Sequence, residues 1–280
     1  MNMDKSSFSK GVRIETLLVG NLINFQQGDL ALSGMFLIRS TDRTGKEVRT
    51  VIDAGHMGMR RNILEALFKV GLTPNDIDFV SLTHFHWDHV QNLDLFENAE
   101  IVVSAAELNS VQGKFARDLV TPAWTRHLFE DSRIRTVKPG DEVTAGVEVI
   151  DASGHTIGSI AFATENNGEV SVVSGDALPW AEVGRLKQSA LVFWDVDRSN
   201  KTIHRLTELA DVIYPGHDRP FRLIDGEIEY ELPYDVTLFG AEPSTPGLKF
   251  APTVILQTVD LTDGLPVGPR WTREELMLPE

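Results

Sequence analysis

The sequence predicts an α/β protein whose short strands deliver polar residues to one site, and three observations predict it. Strand-like and helix-like stretches alternate along the chain. The densest polar cluster, residues 83–89 (Thr-His-Phe-His-Trp-Asp-His), begins where an apolar run ends. Three further histidine and aspartate positions lie beside glycine: His155 in Ser-Gly-His-Thr, Asp176 in Ser-Gly-Asp-Ala and His217 in Pro-Gly-His-Asp. With 280 residues, 42% of them hydrophobic, the chain can bury a substantial core as one large domain or two small ones.

The elements follow in order. Residues 13–19 alternate as an early strand. Residues 36–39 and 49–52 flank the turn-like segment 41–45 and predict a hairpin. Over residues 60–70, Ile63, Leu64, Leu67 and Val70 fall at helical spacing, and Gly71 stands where the helix would stop. Residues 73–76 predict a turn, and residues 77–82 the strand that carries the heptad at its end. Residues 101–103 predict a buried strand and 105–115 a helix. Strands are expected at 143–150, 159–164 and 170–173, with a turn at Asn166-Asn-Gly168. Residues 201–210 predict a helix, and 212–214 the strand that presents His217. Segments 21–34 and 117–133 fit no regular pattern and predict loops over a pocket. The catalytic domain is expected over residues 1–224. Residues 225–280, rich in Pro, Gly and Thr, are expected as a C-terminal arm packed on that domain or on a partner subunit.

Composition narrows the function classes. A net charge of −15 repels phosphates and anionic lipid, so neither nucleic acid nor membrane is an expected partner. The N-terminus lacks an apolar run of signal-peptide length, and no stretch reaches 18 apolar residues, which makes a cytoplasmic protein the expectation. With no cysteine, any metal must be held by imidazole and carboxylate.

His84, His86, Asp88 and His89 place four such donors within six residues, and His155, Asp176 and His217 bring the set to seven. Five of the eight histidines fall in these settings. Seven nitrogen and oxygen donors suffice for two metal ions. The set resembles the ligand motifs of the metallo-β-lactamase-fold hydrolases, in the order of that family, over roughly residues 51–221. The resemblance implies a four-layered αβ/βα sandwich. It implies that His84, His86 and His155 hold one ion, that Asp88, His89 and His217 hold the other, and that Asp176 bridges the two. The ions implied are zinc, with iron or manganese as alternatives. Asp53, in Ile-Asp-Ala-Gly, matches a position from which a carboxylate accepts the second ring N–H of a ligand histidine. Glycines 154, 175 and 216 would let the backbone approach the ions. His56 and His127 could reach a pocket rim, and His204 is expected on a solvated helix face.

Two ions sharing a water lower its pKa and supply a hydroxide nucleophile, and Asp88 is the residue expected to orient it. The missing cysteine sets the chain apart from zinc β-lactamases with an Asp-Cys-His site, and His86 from the flavodiiron reductases, which have Glu there. The heptad and Asp-Ala-Gly are similar to the acyl-homoserine-lactone lactonase group. That group carries a tyrosine three residues after the bridging aspartate, where this chain has Pro179. Residues 209–221 and 92–96 are similar to the small family of metallo-β-lactamase-domain-containing protein 1, whose nuclease role does not suit an acidic chain. The expectation is a dinuclear hydrolase of a small carbonyl substrate, a lactone or another ester. Thioester or phosphodiester hydrolysis, or a mononuclear-iron persulfide dioxygenase, are the alternatives. Phe85, Trp87 and Trp180 are expected to wall the substrate pocket, Phe193 equally to be core, and Arg60 and Arg61 to mark an exposed helix start. A homodimer through the C-terminal arm is a further expectation.

Overall fold

The computed structural model describes residues 11–25, 28–112, 120–122, 124–128, 133–233 and 259–260. The first half of the chain begins with β1 (Arg13–Leu18), the hairpin β2 (Asn21–Phe25) and β3 (Gly28–Leu32), then β4 (Met35–Thr41) and β5 (Glu47–Ile52). Helix α1 (Arg60–Lys69) leads to β6 (Phe79–Ser81), and the short α2 (Trp87–Val90) to β7 (Glu100–Ser104). Helices α3 (Ala105–Gln112) and α4 (Thr125–Leu128) precede β8 (Ile134–Val137). Of these eight strands, β2 and β3 pair with each other, and the other six form a sheet in the order β1-β4-β5-β6-β7-β8. Its β1-β4-β5 side is antiparallel and its β5-β6-β7-β8 side parallel.

The second half supplies β9 (Glu142–Thr144), β10 (Val147–Asp151), β11 (Ile160–Asn166) and β12 (Glu169–Gly175). Then come α5 (Ala181–Leu186), β13 (Leu191–Val192), α6 (Val196–Leu209), β14 (Val212–Pro215), β15 (Phe221–Ile224), β16 (Glu227–Tyr230) and β17 (Val259–Asp260). Seven of them make a second sheet in the order β16-β15-β14-β12-β11-β10-β9, in which only the β12–β14 pair is parallel.

Period-2 alternation explains the layering. In β4, Phe36 and Ile38 face inward with Val147, Val149, Ile160, Phe162 and Val173 of the second sheet, forming the core between the sheets. Met35 and Leu37 of the same strand face outward onto Ile63 and Leu67 of α1. On the far side, Ala161, Ala163, Val170 and Val172 pack beneath Ile203 and Leu206 of α6. Helix, sheet, sheet, helix is the four-layered αβ/βα sandwich that the ligand motifs imply.

Several elements differ from expectation. Segment 21–34 is a hairpin rather than a loop, because Leu22, Ile23, Leu30 and Ala31 give it strand pairing. Segment 143–150 is two strands, because Gly146 turns at φ +78° between them. Strand β8 has no counterpart in the sequence reading. Helix α6 starts earlier, where the Asp195 side chain accepts the Arg198 amide as an N-cap. Leu64 of α1 is exposed, and Ala66 takes the buried place beside Ile63 and Leu67. Most of the expected C-terminal arm lies outside the described residues. Of that stretch, β16 pairs with β15, and β17 with β13. Segment 117–133 is also partly outside them, with α4 as its described element.

Candidate metal centre

All seven expected donors lie just beyond strand ends at one edge of the sandwich. His84, His86, Asp88 and His89 follow β6, His155 follows β10, Asp176 follows β12 and His217 follows β14. The short β6 is flanked on both sides by parallel neighbours, so its carboxyl end opens at the edge where loops converge. There the donors form two buried groups: His84, His86, His155 and Asp176, and Asp88, His89 and His217. Within each group the donor atoms lie within 4.8 Å of one another.

Each histidine is oriented by its other ring nitrogen or by its neighbours. His155 Nδ1 lies 2.8 Å from the Leu191 carbonyl, and His217 Nδ1 lies 3.1 Å from that of Leu32, so both present Nε2 inward. His84 Nδ1 sits 3.0 Å from Thr83 Oγ1 and also presents Nε2. His86 turns the opposite edge, placing Nδ1 3.0 Å from His155 Nε2. His89 Nδ1 lies 2.8 Å from Asp53 Oδ2. Asp53 also accepts the Thr83 amide at 2.8 Å and the Thr83 hydroxyl. It takes the left-handed conformation at φ 62°, unusual for a residue with a Cβ, and this aims its carboxylate beneath the heptad.

The inward atoms are left to one another. His84 Nε2 and Asp88 Oδ2 are fully buried without a hydrogen-bond partner. Asp88 Oδ2 lies 3.4 Å from His217 Nε2 and 3.5 Å from His89 Nε2, and Asp176 Oδ2 lies 3.1 Å from His217 Nε2. Burial first, and then repulsion from the neighbouring His89 and His86 rings, push His84 well below its ordinary pKa. Burial opposes charge on His89, yet Asp88, Asp176 and Asp53 hold its pKa well above the ordinary value. Burial would raise Asp176, but His217 and His89 keep it well below the usual carboxylate range. A buried set of imidazole nitrogens and carboxylate oxygens, with orphaned acceptors pointing inward, fits divalent cations of the zinc type.

The surrounding residues divide unevenly. Phe85 is buried completely in the outer core of the first sheet, so it packs beneath the site instead of walling a pocket. Trp87 is half-buried and meets the edge of His56, with ring centroids 4.9 Å apart. Trp180 packs on the α6-side core. Phe193 stands edge-on to His86 at 4.8 Å and to His155 at 5.2 Å, which makes it a lining residue of the site. The His127 and His204 side chains are exposed. Arg60 forms a two-point ion pair with Asp94, and Arg61 pairs with Glu65.

Glycine serves neighbouring chain more than ions. At Gly154 (φ +139°) a Cβ would collide with the Ser199 backbone, and at Gly216 with the Asp176 carboxylate. The sequence reading missed the trailing end of the β2–β3 hairpin. Ser33 donates to the Asp88 carbonyl at 2.7 Å, and the Gly34 amide to the Gly216 carbonyl at 2.6 Å. It also missed Glu107, a buried carboxylate on α3. Neither carries a local signal, because their partners lie far off in sequence.

A family model described as the metallo-beta-lactamase superfamily matches residues 35–217. Metallo-beta-lactamase domain-containing protein 1 of Xenopus laevis is 30% identical over 184 residues, covering 62% of this chain and 68% of that protein. A probable metallo-hydrolase of Methanocaldococcus jannaschii is 31% identical over 129 residues, 46% of this chain and 51% of that protein. An N-acyl homoserine lactonase of a Bacillus species is 27% identical over 165 residues, 56% and 62% of the two chains. The matched region thus spans about half to two thirds of these relatives. A solved structure of a probable metal-dependent hydrolase from Staphylococcus aureus superposes with a TM-score of 0.65 at 21% identity, covering 81% of this chain and 99% of the other. A Bacillus thuringiensis AiiA variant with N-decanoyl-L-homoserine at its active site gives a TM-score of 0.59 at 16% identity, covering 75% and 94%. At these identities the two structures establish a shared fold.

Proposed function

Since the chain belongs to the metallo-beta-lactamase superfamily, we propose that it is a dinuclear metal-dependent hydrolase of a small carbonyl substrate, a lactone or another ester. The observation that carries the reading is the pair of adjoining buried donor groups with orphaned inward atoms. His84, His86 and His155 would hold one divalent ion, zinc by donor type, and Asp88, His89 and His217 the other, with Asp176 shared. Bound together, such ions bring the pKa of a water near neutrality and polarise a carbonyl oxygen.

The protein's own residues orient and select. Asp53 holds the His89 ring so that only Nε2 faces the site. Asp88 Oδ2, buried without a hydrogen-bond partner, would orient the attacking water and accept its proton. Phe193 and the half-buried Trp87 give the mouth an apolar wall suited to an acyl group. The lactone reading draws on similarity to the Bacillus lactonase. At the lactonase tyrosine position, the Pro179 carbonyl instead accepts the His217 amide at 2.6 Å. Of the two described tyrosines, Tyr214 packs edge-on to Phe36 between the sheets and the Tyr230 hydroxyl donates to Asp218, so neither takes over that role. The −15 charge supports a small-molecule substrate over nucleic acid.

Proton release in a pH-stat tests the reading, with zinc-loaded protein and a panel of acyl-lactones, simple esters, thioesters and phosphodiesters. Chelator-sensitive acid release from lactones is the expected result. Turnover confined to phosphodiesters or thioesters would overturn the lactone assignment, and oxygen consumption with an iron-loaded protein would replace hydrolysis with oxidation.

A further inference from the structure

We infer that Glu107 is a positioning residue that fixes the separation of the two loops carrying His84, His86 and His155, and so sets the affinity of that donor group for its ion. This rests on the metal-binding reading above. Glu107 lies on α3, 18 positions from the nearest expected donor, His89, yet its carboxylate is buried between both loops. Oε1 accepts the amide of Phe85, the residue between His84 and His86, at 3.2 Å. Oε2 accepts the amide of Gly158 at 2.8 Å and the hydroxyl of Thr156, next to His155, at 3.0 Å. Thr156 is tied in turn to Ser159, its Oγ1 lying 2.6 Å from Ser159 Oγ. The close approach is built in, because a Cβ at Gly158 would collide with the Glu107 backbone.

A carboxylate suits this place because it offers acceptors on both oxygens, whereas an amide offers one acceptor and one donor. In Glu107→Gln, whichever way the amide flips, a backbone N–H of Phe85 or Gly158 faces an NH₂ group. One loop must then move away. The donors attached to it move with it, whereas Asp88, His89 and His217 hang on contacts that do not include Glu107: Ser33 on the Asp88 carbonyl, Asp53 on His89 and Leu32 on His217.

The test is a competitive titration of metal-free wild type and Glu107→Gln with zinc against a chromophoric chelator, with cobalt absorption spectra recorded in parallel. The expected result is two bound ions in wild type, and in the variant one of the two weakened about 10- to 100-fold, the range for lost outer-shell support. One set of cobalt bands should change and the other persist. Equal affinities and identical cobalt spectra in the two proteins would overturn the inference while leaving the metal reading intact. A wild type that binds no ion would sink that reading instead. If Glu107→Gln does not fold, Thr156→Val decides, since it removes only the hydroxyl contact: a smaller weakening of the same ion is expected, and no change in affinity or spectrum would contradict the role.

Discussion

Asp53 ties three features of the site together: a left-handed backbone, the Thr83 amide and the His89 ring. Asp53→Asn keeps the shape but can present an NH₂ to either donor, so the His89 tautomer is no longer fixed. Zinc affinity at the Asp88, His89 and His217 group is expected to fall about 10- to 100-fold, measured by chelator competition. Asp88→Asn is expected to lower turnover at least about 100-fold at saturating zinc, the scale of a lost general base. Activity within twofold of wild type, at equal metal content, would remove Asp88 from the chemistry. At this scale the sequence was highly legible for the heptad, because four donors within six residues are a local pattern. It was least legible for Glu107 and Phe193. Glu107 sits on a helix, where a glutamate reads as a solvated residue, and its three partners lie 22, 49 and 51 positions away. Phe85 alternates with the donors just as Trp87 does, yet Phe85 is fully buried and Trp87 only half-buried.

Helix α6 is fastened to the end of β10 by charge. Asp151 accepts from Arg198 at 2.6 Å and from the Ser153 hydroxyl at 2.6 Å, and Arg205 reaches the Asp151 carbonyl. Burial would raise the Asp151 pKa, but the Ser153 hydrogen bonds and the Arg205 and Arg198 guanidiniums hold it below its ordinary 3.8. A depressed folded-state pKa contributes stability above the ordinary value and loses it as pH falls through the lowered one. Asp151→Asn is therefore expected to lower Tm by a few degrees at pH 7, about 1 kcal/mol for a partly exposed charged network. The gap to wild type should narrow as pH falls below 3.8 and through the lowered folded-state value. A gap that is the same at pH 3 and pH 7 would show that charge is not what fastens the helix. Elements with strong periodicity, such as α1 and the β4–β5 hairpin, were readable in advance. The β2–β3 hairpin and β8 were not, since their stability comes from where they pack and not from their own pattern.

Across the whole molecule, the two sheets pack face to face, and beside the site the Ile160 amide donates to the Thr83 carbonyl to join them. Among the described residues no helix is long and apolar enough to cross a membrane. Under the proposed function, ions bound there would link the ends of both sheets, so chelation is expected to lower Tm and zinc to restore it. With free zinc at 100 times its dissociation constant, each site adds about 2.7 kcal/mol. A melting curve unmoved by chelator would place the ions, if any, outside the fold's cohesion. The four layers themselves were legible through the family that the ligand motifs resemble, and the alternation in β4 shows why the chain can satisfy them.

Under the proposed function, seven residues hold two ions and hydrolysis needs both. Stepwise addition of zinc to metal-free protein, with bound zinc and acid release from an acyl-lactone followed together, tests it most directly. Binding and activity should both rise to a break at two equivalents per chain. A break at one equivalent, or acid release before any zinc is added, would contradict it.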